Sequence, residues 1–222
     1  MAKVANSFDD PANNPFLHAA QNLKTEHTGP PMKEKNFIDG ATPLHKAAAL
    51  LKLEKVDELL MTPGTNLDAE DVLLQTPLIL MARLHYAKAD VPNAVKMTQK
   101  LLDAGASLVT DEGVIIRDAY GDSLLTLAAM ASAKNGPSIL RTLVDALPSD
   151  SKAKLCQSRC KNFGNTPLHW AIISDDIEAC QLLVDSGMSL ERKNRENETV
   201  LAYCDKYDKP KIKAIIEKAM KK

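Results

Sequence analysis

The chain has 222 residues, 45% of them hydrophobic and only 4% aromatic, and carries a formal net charge of −1. That length and apolar content can bury an extended core, and the shortage of aromatics suits Ala/Leu-rich helical layers better than a β-sandwich. The balanced charge offers no global pull toward nucleic acid or an anionic membrane surface.

Taken in order, residues 1–14 are polar, and Pro11 and Pro15 discourage helix. Residues 14–20 look like an imperfect helix opening, expected to run to about Lys24, but 25–35, with Gly29, Pro30 and Pro31, lack the apolar periodicity of a partner helix. Residues 1–35 therefore read as a polar N-terminal segment with a partial capping helix, and 36–222 as the main domain. In the first full unit Leu44, Ala47 and Ala48 share one face of a short helix, and Val56, Leu59 and Leu60 share a face of the next, which stops at Pro63 and Gly64. A second unit from Leu73 has a lengthened middle, His85 to Pro92, before a helix expected over 94–104. Its connection, 107–120, carries Gly113 and Val114-Ile115-Ile116, the composition of an extended β-hairpin finger.

Leu124, Leu127, Ala128 and Met130 mark the next first helix, and residues 139–146 its partner, stopped by Pro148. A short extra helical turn is expected within 149–160. Thr166 then stands where an N-cap is needed, with Pro167 at the first helical position, where its missing N–H is no loss. Leu168, Ala171 and Ile172 form one apolar face, Ile177, Cys180, Leu182 and Leu183 another, and Gly187 is placed as a C-cap. The last unit ends on Ile212, Ile215, Ile216 and Ala219 at helical spacing, with lysines on the other face, as a solvated end cap.

Aligned on Thr166, the chain repeats at Thr42, Thr76, Ser123 and Thr199, with successive separations of 34, 47, 43 and 33 residues. Thr-Pro-Leu-His is complete at Thr42–His45 and Thr166–His169, and partial at Thr76–Leu78. Leu101–Ala106 (LLDAGA) and Leu182–Gly187 (LLVDSG) share a second-helix ending. On these segments the chain resembles the ankyrin-repeat family from about Asp39 onward, with two intervals near the family period of about 33 residues and two carrying loop insertions. The resemblance implies an all-α solenoid of about five stacked helix-turn-helix units, joined by short β-hairpin connections and closed by divergent caps. It also implies that the motif histidines, His45 and His169, bond their own threonines and tie adjacent units together.

No serine or cysteine nucleophile has a base at motif spacing, and no glycine-rich phosphate loop follows a strand. Cys156, Cys160 and His169 suggest a zinc site only in part, because no second ligand pair follows. Cys180 and Cys204 fall on apolar helix faces and read as core. Four cysteines in a chain of this size fit a reducing compartment. The opening MAKVANSFDD lacks the apolar stretch of a cleaved signal, so a cytoplasmic location is expected. No catalytic residue, cofactor, metal, nucleic acid or membrane partner is expected. A capped stack has no need to self-associate, so a monomer is expected too.

In ankyrin proteins partners usually bind the concave wall of first helices and the hairpin tips. Reading the position after the motif histidine as groove-facing picks Lys46, Leu80, Leu127 and Trp170, and three residues further on Ala49, Arg83, Met130 and Ile173. Trp170, the only tryptophan, is the candidate anchor; packing against the 149–160 insertion is its alternative role. The tips, at 36–40, 70–71, 111–118, 161–165 and 194–197, add Asp111, Glu112, Arg117, Asp118 and Asn165 as candidates. The function implied is a non-catalytic protein-binding module, acting as an adaptor, inhibitor or targeting scaffold. Two alternatives stay open: a bacterial effector acting on a host protein in the host cytosol, and a small enzyme with its site in the inserted loops at 85–92 or 156–160.

Overall fold

A computed structural model describes residues 39–85, 91–110, 112–135, 138–147, 159–160 and 163–221. The chain divides into two units, Met1–Phe37 and Ile38–Lys222, and every described residue belongs to the second. The expected capping helix at 14–24, the added turn at 149–158, most of the 85–92 insertion, Asp111 and Cys156 lie outside the described residues.

Five hydroxyl side chains start the first helix of five units. The side-chain oxygens of Thr42, Thr76, Ser123, Thr166 and Thr199 accept the backbone N–H three residues on, at 3.4, 3.3, 3.3, 3.4 and 3.3 Å. Each satisfies a donor that the first helical turn leaves without a partner, a contribution of about 1 kcal/mol apiece. The helices that follow are α1 Pro43–Ala49, α3 Pro77–His85, α5 Leu124–Asn135, α7 Pro167–Ile173 and α9 Val200–Lys206. Each pairs with a second helix: α2 Leu53–Leu60, α4 Val91–Asp103, α6 Ser138–Ala146, α8 Ile177–Asp185 and α10 Pro210–Met220. Helix α4 starts three residues before the expected Ala94, because Pro92 sits in its first turn, where no intrahelical N–H bond is required.

These pairs stack in chain order. Helices α1, α3, α5, α7 and α9 each pack on the next to make one layer, and α4 on α6 and α8 on α10 continue the other. Between the layers lie Leu44, Val56, Ile79, Met97, Leu140 and Leu168, all 3% exposed or less. A single unit could not shield these side chains, so each depends on its neighbours. The expected inward face of α8 is narrower than anticipated: Cys180 and Leu183 are buried, but Ile177 is 40% exposed. No helix among the described residues is long and apolar enough to cross a membrane.

The loops between units also form an ordered row. Val72 N–H donates to Asp39 O at 3.3 Å, Ala119 N–H to Leu73 O at 2.8 Å, and Arg195 N–H to Phe163 O at 2.9 Å. Between the third and fourth loops the link is a side chain, Arg117 donating to Arg159 O, and Arg159 in turn donates to Lys193 O of the fifth loop, both at 2.9 Å. Every loop turns through one left-handed residue two places before its cap: Gly40, Leu74, Gly121, Gly164 and Asn197. The expected finger within 107–120 is present, with an antiparallel bridge between Val109 and Ile115 and a 2.7 Å bond from Thr110 N–H to Val114 O.

Candidate protein-binding face

The motif histidines do what their spacing implies. His169 Nδ1 accepts from Thr166 N–H at 3.2 Å, and its Nε2–H donates to Glu198 O of the next unit at 3.3 Å. His45 repeats this with Thr42 N–H at 3.1 Å and Gln75 O at 2.8 Å. Both imidazoles are fully buried, and burial holds them neutral: it lowers the His169 pKa to about 4 and shifts His45 in the same direction. With both ring nitrogens of His169 engaged, it has no lone pair to give a metal. Burial also raises the Cys180 thiol and pushes Cys204 up to about 11, so neither is an activated nucleophile.

The position after the motif histidine does not open to solvent. Leu80 is 6% exposed, Leu127 7% and Trp170 4%, which overturns the reading of Trp170 as an exposed anchor. A helical side chain leans toward the N-terminal turn of its own helix, and at Trp170 the incoming loop lies there. Phe163 in that loop meets the Trp170 ring edge-on, at 5.9 Å between centroids. Lys46, at the same position in the first unit, is half-buried. Three residues on, Ala49 is buried, Arg83 and Met130 are half-buried, and Ile173 is 37% exposed.

Three of the expected tip residues are structural as well. Arg83 pairs with Asp118 and, at 3.0 Å, with Asp122, while its guanidinium lies 4.8 Å from the Tyr120 ring centre. Burial opposes the Arg83 charge, but Asp118 and then Asp122 outweigh it and raise the guanidinium pKa. Burial also raises the Asp122 pKa against the pull of Arg83. Asp118, 4% exposed, holds its own loop through bonds from Tyr120 N–H and Asp122 N–H, each 3.0 Å. Asp71 serves the preceding loop in the same way. Arg117 is half-buried, spent on Gly121 O and Arg159 O. Asn165, 1% exposed, accepts from Asn194 Nδ2 and from the Tyr203 hydroxyl, both at 3.2 Å. Among the described residues of the expected tips, Glu112 stands in solvent, as do Asp39, Glu70, Val114, Arg195 and Glu196.

Other exposed apolar side chains lie elsewhere on the same loops, apart from Met61, Ile177 and Met220 on or just after the second helices. Val72 is 61% exposed, Leu74 47%, Tyr120 46% and, on the finger, Val114 60%. The sequence held a signal for the first two: Val72-Leu73-Leu74 is an apolar run in a loop, where neither helix of a unit reaches to bury it. Their charged surroundings are acidic. Among the described residues, Asp39, Glu70 and Glu112 are exposed on the first three loops, whereas the last two are mixed, with Arg159, Lys193 and Arg195 exposed beside Glu191 and Glu196. A cleft of about 280 Å³ between α8 and α10, lined by Val184, Ile215 and Lys218 among others, belongs to the second-helix layer. Among the described residues, no three His, Cys, Asp or Glu side chains are grouped to hold a metal.

A family model described as ankyrin repeats, in three copies, matches residues 84–194 and 125–221. No curated protein matches the chain. The matched residues span more than half of the sequence and coincide with the stacked helix pairs α4 to α10, so the chain belongs to the ankyrin-repeat family.

Proposed function

We propose that this protein is a non-catalytic protein-binding module that holds a protein partner along its loop row and the adjoining first-helix surface. Ankyrin repeats are in general protein–protein interaction modules. The observation carrying the reading here is that Val72, Leu74 and Tyr120 stand exposed on loops whose backbones are hydrogen-bonded to their neighbours. Apolar side chains held on a fixed backbone lose little conformational freedom on binding, so their burial is not offset by an ordering cost. Met130 and Ile173 extend the surface onto the first helices.

The test is affinity capture from cell lysate on three immobilised forms of the full chain: wild type, Val72→Ser with Tyr120→Ala, and Met130→Lys with Ile173→Lys. A protein retained by the wild type and lost from at least one double variant is expected, with melting points within a few degrees of one another. If every retained protein binds all three forms equally, the surface is not a binding face and the reading is wrong.

A further inference from the structure

Leu74 differs from the equivalent residue of the other four loops. It adopts φ 55°, in the left-handed region that the equivalent loop position fills with Gly40, Gly121, Gly164 and Asn197 elsewhere in the chain. A leucine there is disfavoured because Cβ crowds the backbone, whereas glycine has no such conflict and asparagine tolerates the conformation. Nor does the fold recover the difference by burial, since the side chain is 47% exposed. Beside it, Val72 is 61% exposed, and Tyr120 of the next loop is 46% exposed, with its ring steadied by the Arg83 guanidinium. The two loops are joined by the 2.8 Å bond from Ala119 N–H to Leu73 O, so the three exposed side chains stand on adjoining backbone.

Charge narrows the choice of occupant. Among the described residues, the exposed ionised groups on the loops around this patch are Asp39, Glu70 and Glu112, and Asp68 is half-exposed. Arg117, the cation among the described residues of these loops, is turned into the carbonyls of Gly121 and Arg159. Like charges would repel an acidic segment or a nucleic-acid backbone, and attract a basic one. At the far end of the row the charge is mixed, with Arg159, Lys193 and Arg195 exposed beside Glu191 and Glu196.

We infer that Val72, Leu74 and Tyr120 form the docking patch for an extended segment of a protein partner in which apolar side chains are flanked by lysine or arginine. This rests on the protein-binding reading and states the chemistry of its partner. Leu74 is then kept for the partner at the expense of the loop's own conformation. Stability and binding should therefore move in opposite directions at this one position, which no purely structural role produces.

The probe is a phage-displayed library of random twelve-residue peptides, selected on the full chain, with the recovered peptides measured by fluorescence polarisation. Recovered peptides should carry an aliphatic or aromatic pair next to lysines or arginines, and should bind more weakly as salt is raised. Leu74→Asn should weaken binding at least tenfold while raising the melting temperature. Glu70→Lys with Glu112→Lys should also weaken binding at least tenfold, with the fold unchanged. The inference is overturned if selection yields no peptide or acidic peptides. It is overturned equally if Leu74→Asn lowers stability or leaves binding intact, or if the wild type forms a dimer that Leu74→Asn dissolves, which would assign the patch to a second copy of the chain. Peptides lost only on Met130→Lys with Ile173→Lys would overturn it too, while leaving the protein-binding reading in place.

Discussion

Acid should loosen the junction between the fourth and fifth units through a single imidazole. His169 Nδ1 accepts from the Thr166 N–H at 3.2 Å, so a proton added there faces another proton, in a site with no exposed surface. Burial lowers the folded pKa to about 4, against 6.5 for the free side chain, with the Glu198 carbonyl and charge only partly opposing it. The unfolded chain therefore binds this proton more readily than the folded one. The neutral ring's contribution is complete above pH 6.5 and is lost as pH falls through the window down to about 4. At about 1.4 kcal/mol per pH unit, the loss approaches 3 kcal/mol at the bottom of that window and is about 2.5 kcal/mol at pH 4.5. Urea unfolding at pH 7 and pH 4.5, followed by Trp170 fluorescence, measures it in the wild type and in His169→Gln. Glutamine at this position can still complete the cap without titrating, so the variant should show a pH dependence smaller by about 2 kcal/mol or more. His45 and the carboxylates act in both proteins and cancel in the difference. Equal pH dependence in the two, or a directly measured His169 pKa near 6.5 by proton NMR, would refute the argument.

Three further outcomes follow from particular contacts. Trp170→Ala should destabilise the protein by about 3–5 kcal/mol, the cost of emptying a large buried site; thermal unfolding checks it, and any lost binding in this variant would report damaged packing. Arg83→Met leaves the buried Asp118 without its guanidinium and should cost about 2–4 kcal/mol, below the range for a fully buried pair because the Arg83 side chain is 24% exposed. A double-mutant cycle with Asp118→Asn should recover part of that loss. Gly164→Ala puts a Cβ 3.0 Å from the Arg195 backbone nitrogen at φ 66°, and should cost about 2 kcal/mol. Gly187→Ala, at φ 81° with nothing within 4 Å, should cost only about 1 kcal/mol; denaturant midpoints of the two variants decide it.

Sequence spacing located all five capping hydroxyls, because a cap is a local device: one oxygen meets an N–H three residues away, whatever lies beyond. The helix pairs were legible for a similar reason, since alternating apolar faces state which side each helix must bury. The face available to a partner was much less so. Trp170, Leu127 and Leu80 occupy a motif position whose spacing suggests a groove-facing side chain, yet all three are buried, and Trp170 meets Phe163 of a loop more than a helical turn away in sequence. Asp118, Arg117, Arg83 and Asn165 have the side chains of a recognition surface, but neighbouring loops use their charges and amides first.

What the chain determined by itself is the repeat, its caps and its two faces, all set by interactions within four residues or by helical period. What tertiary structure alone decided is which polar and aromatic groups remain for a partner. Solvent access depends on how a loop from one unit lies across the helix of another, and no spacing within a unit encodes that. Leu74 shows the difference most plainly: it reads as one apolar residue in a loop, and becomes informative only beside four equivalent turns filled by glycine or asparagine.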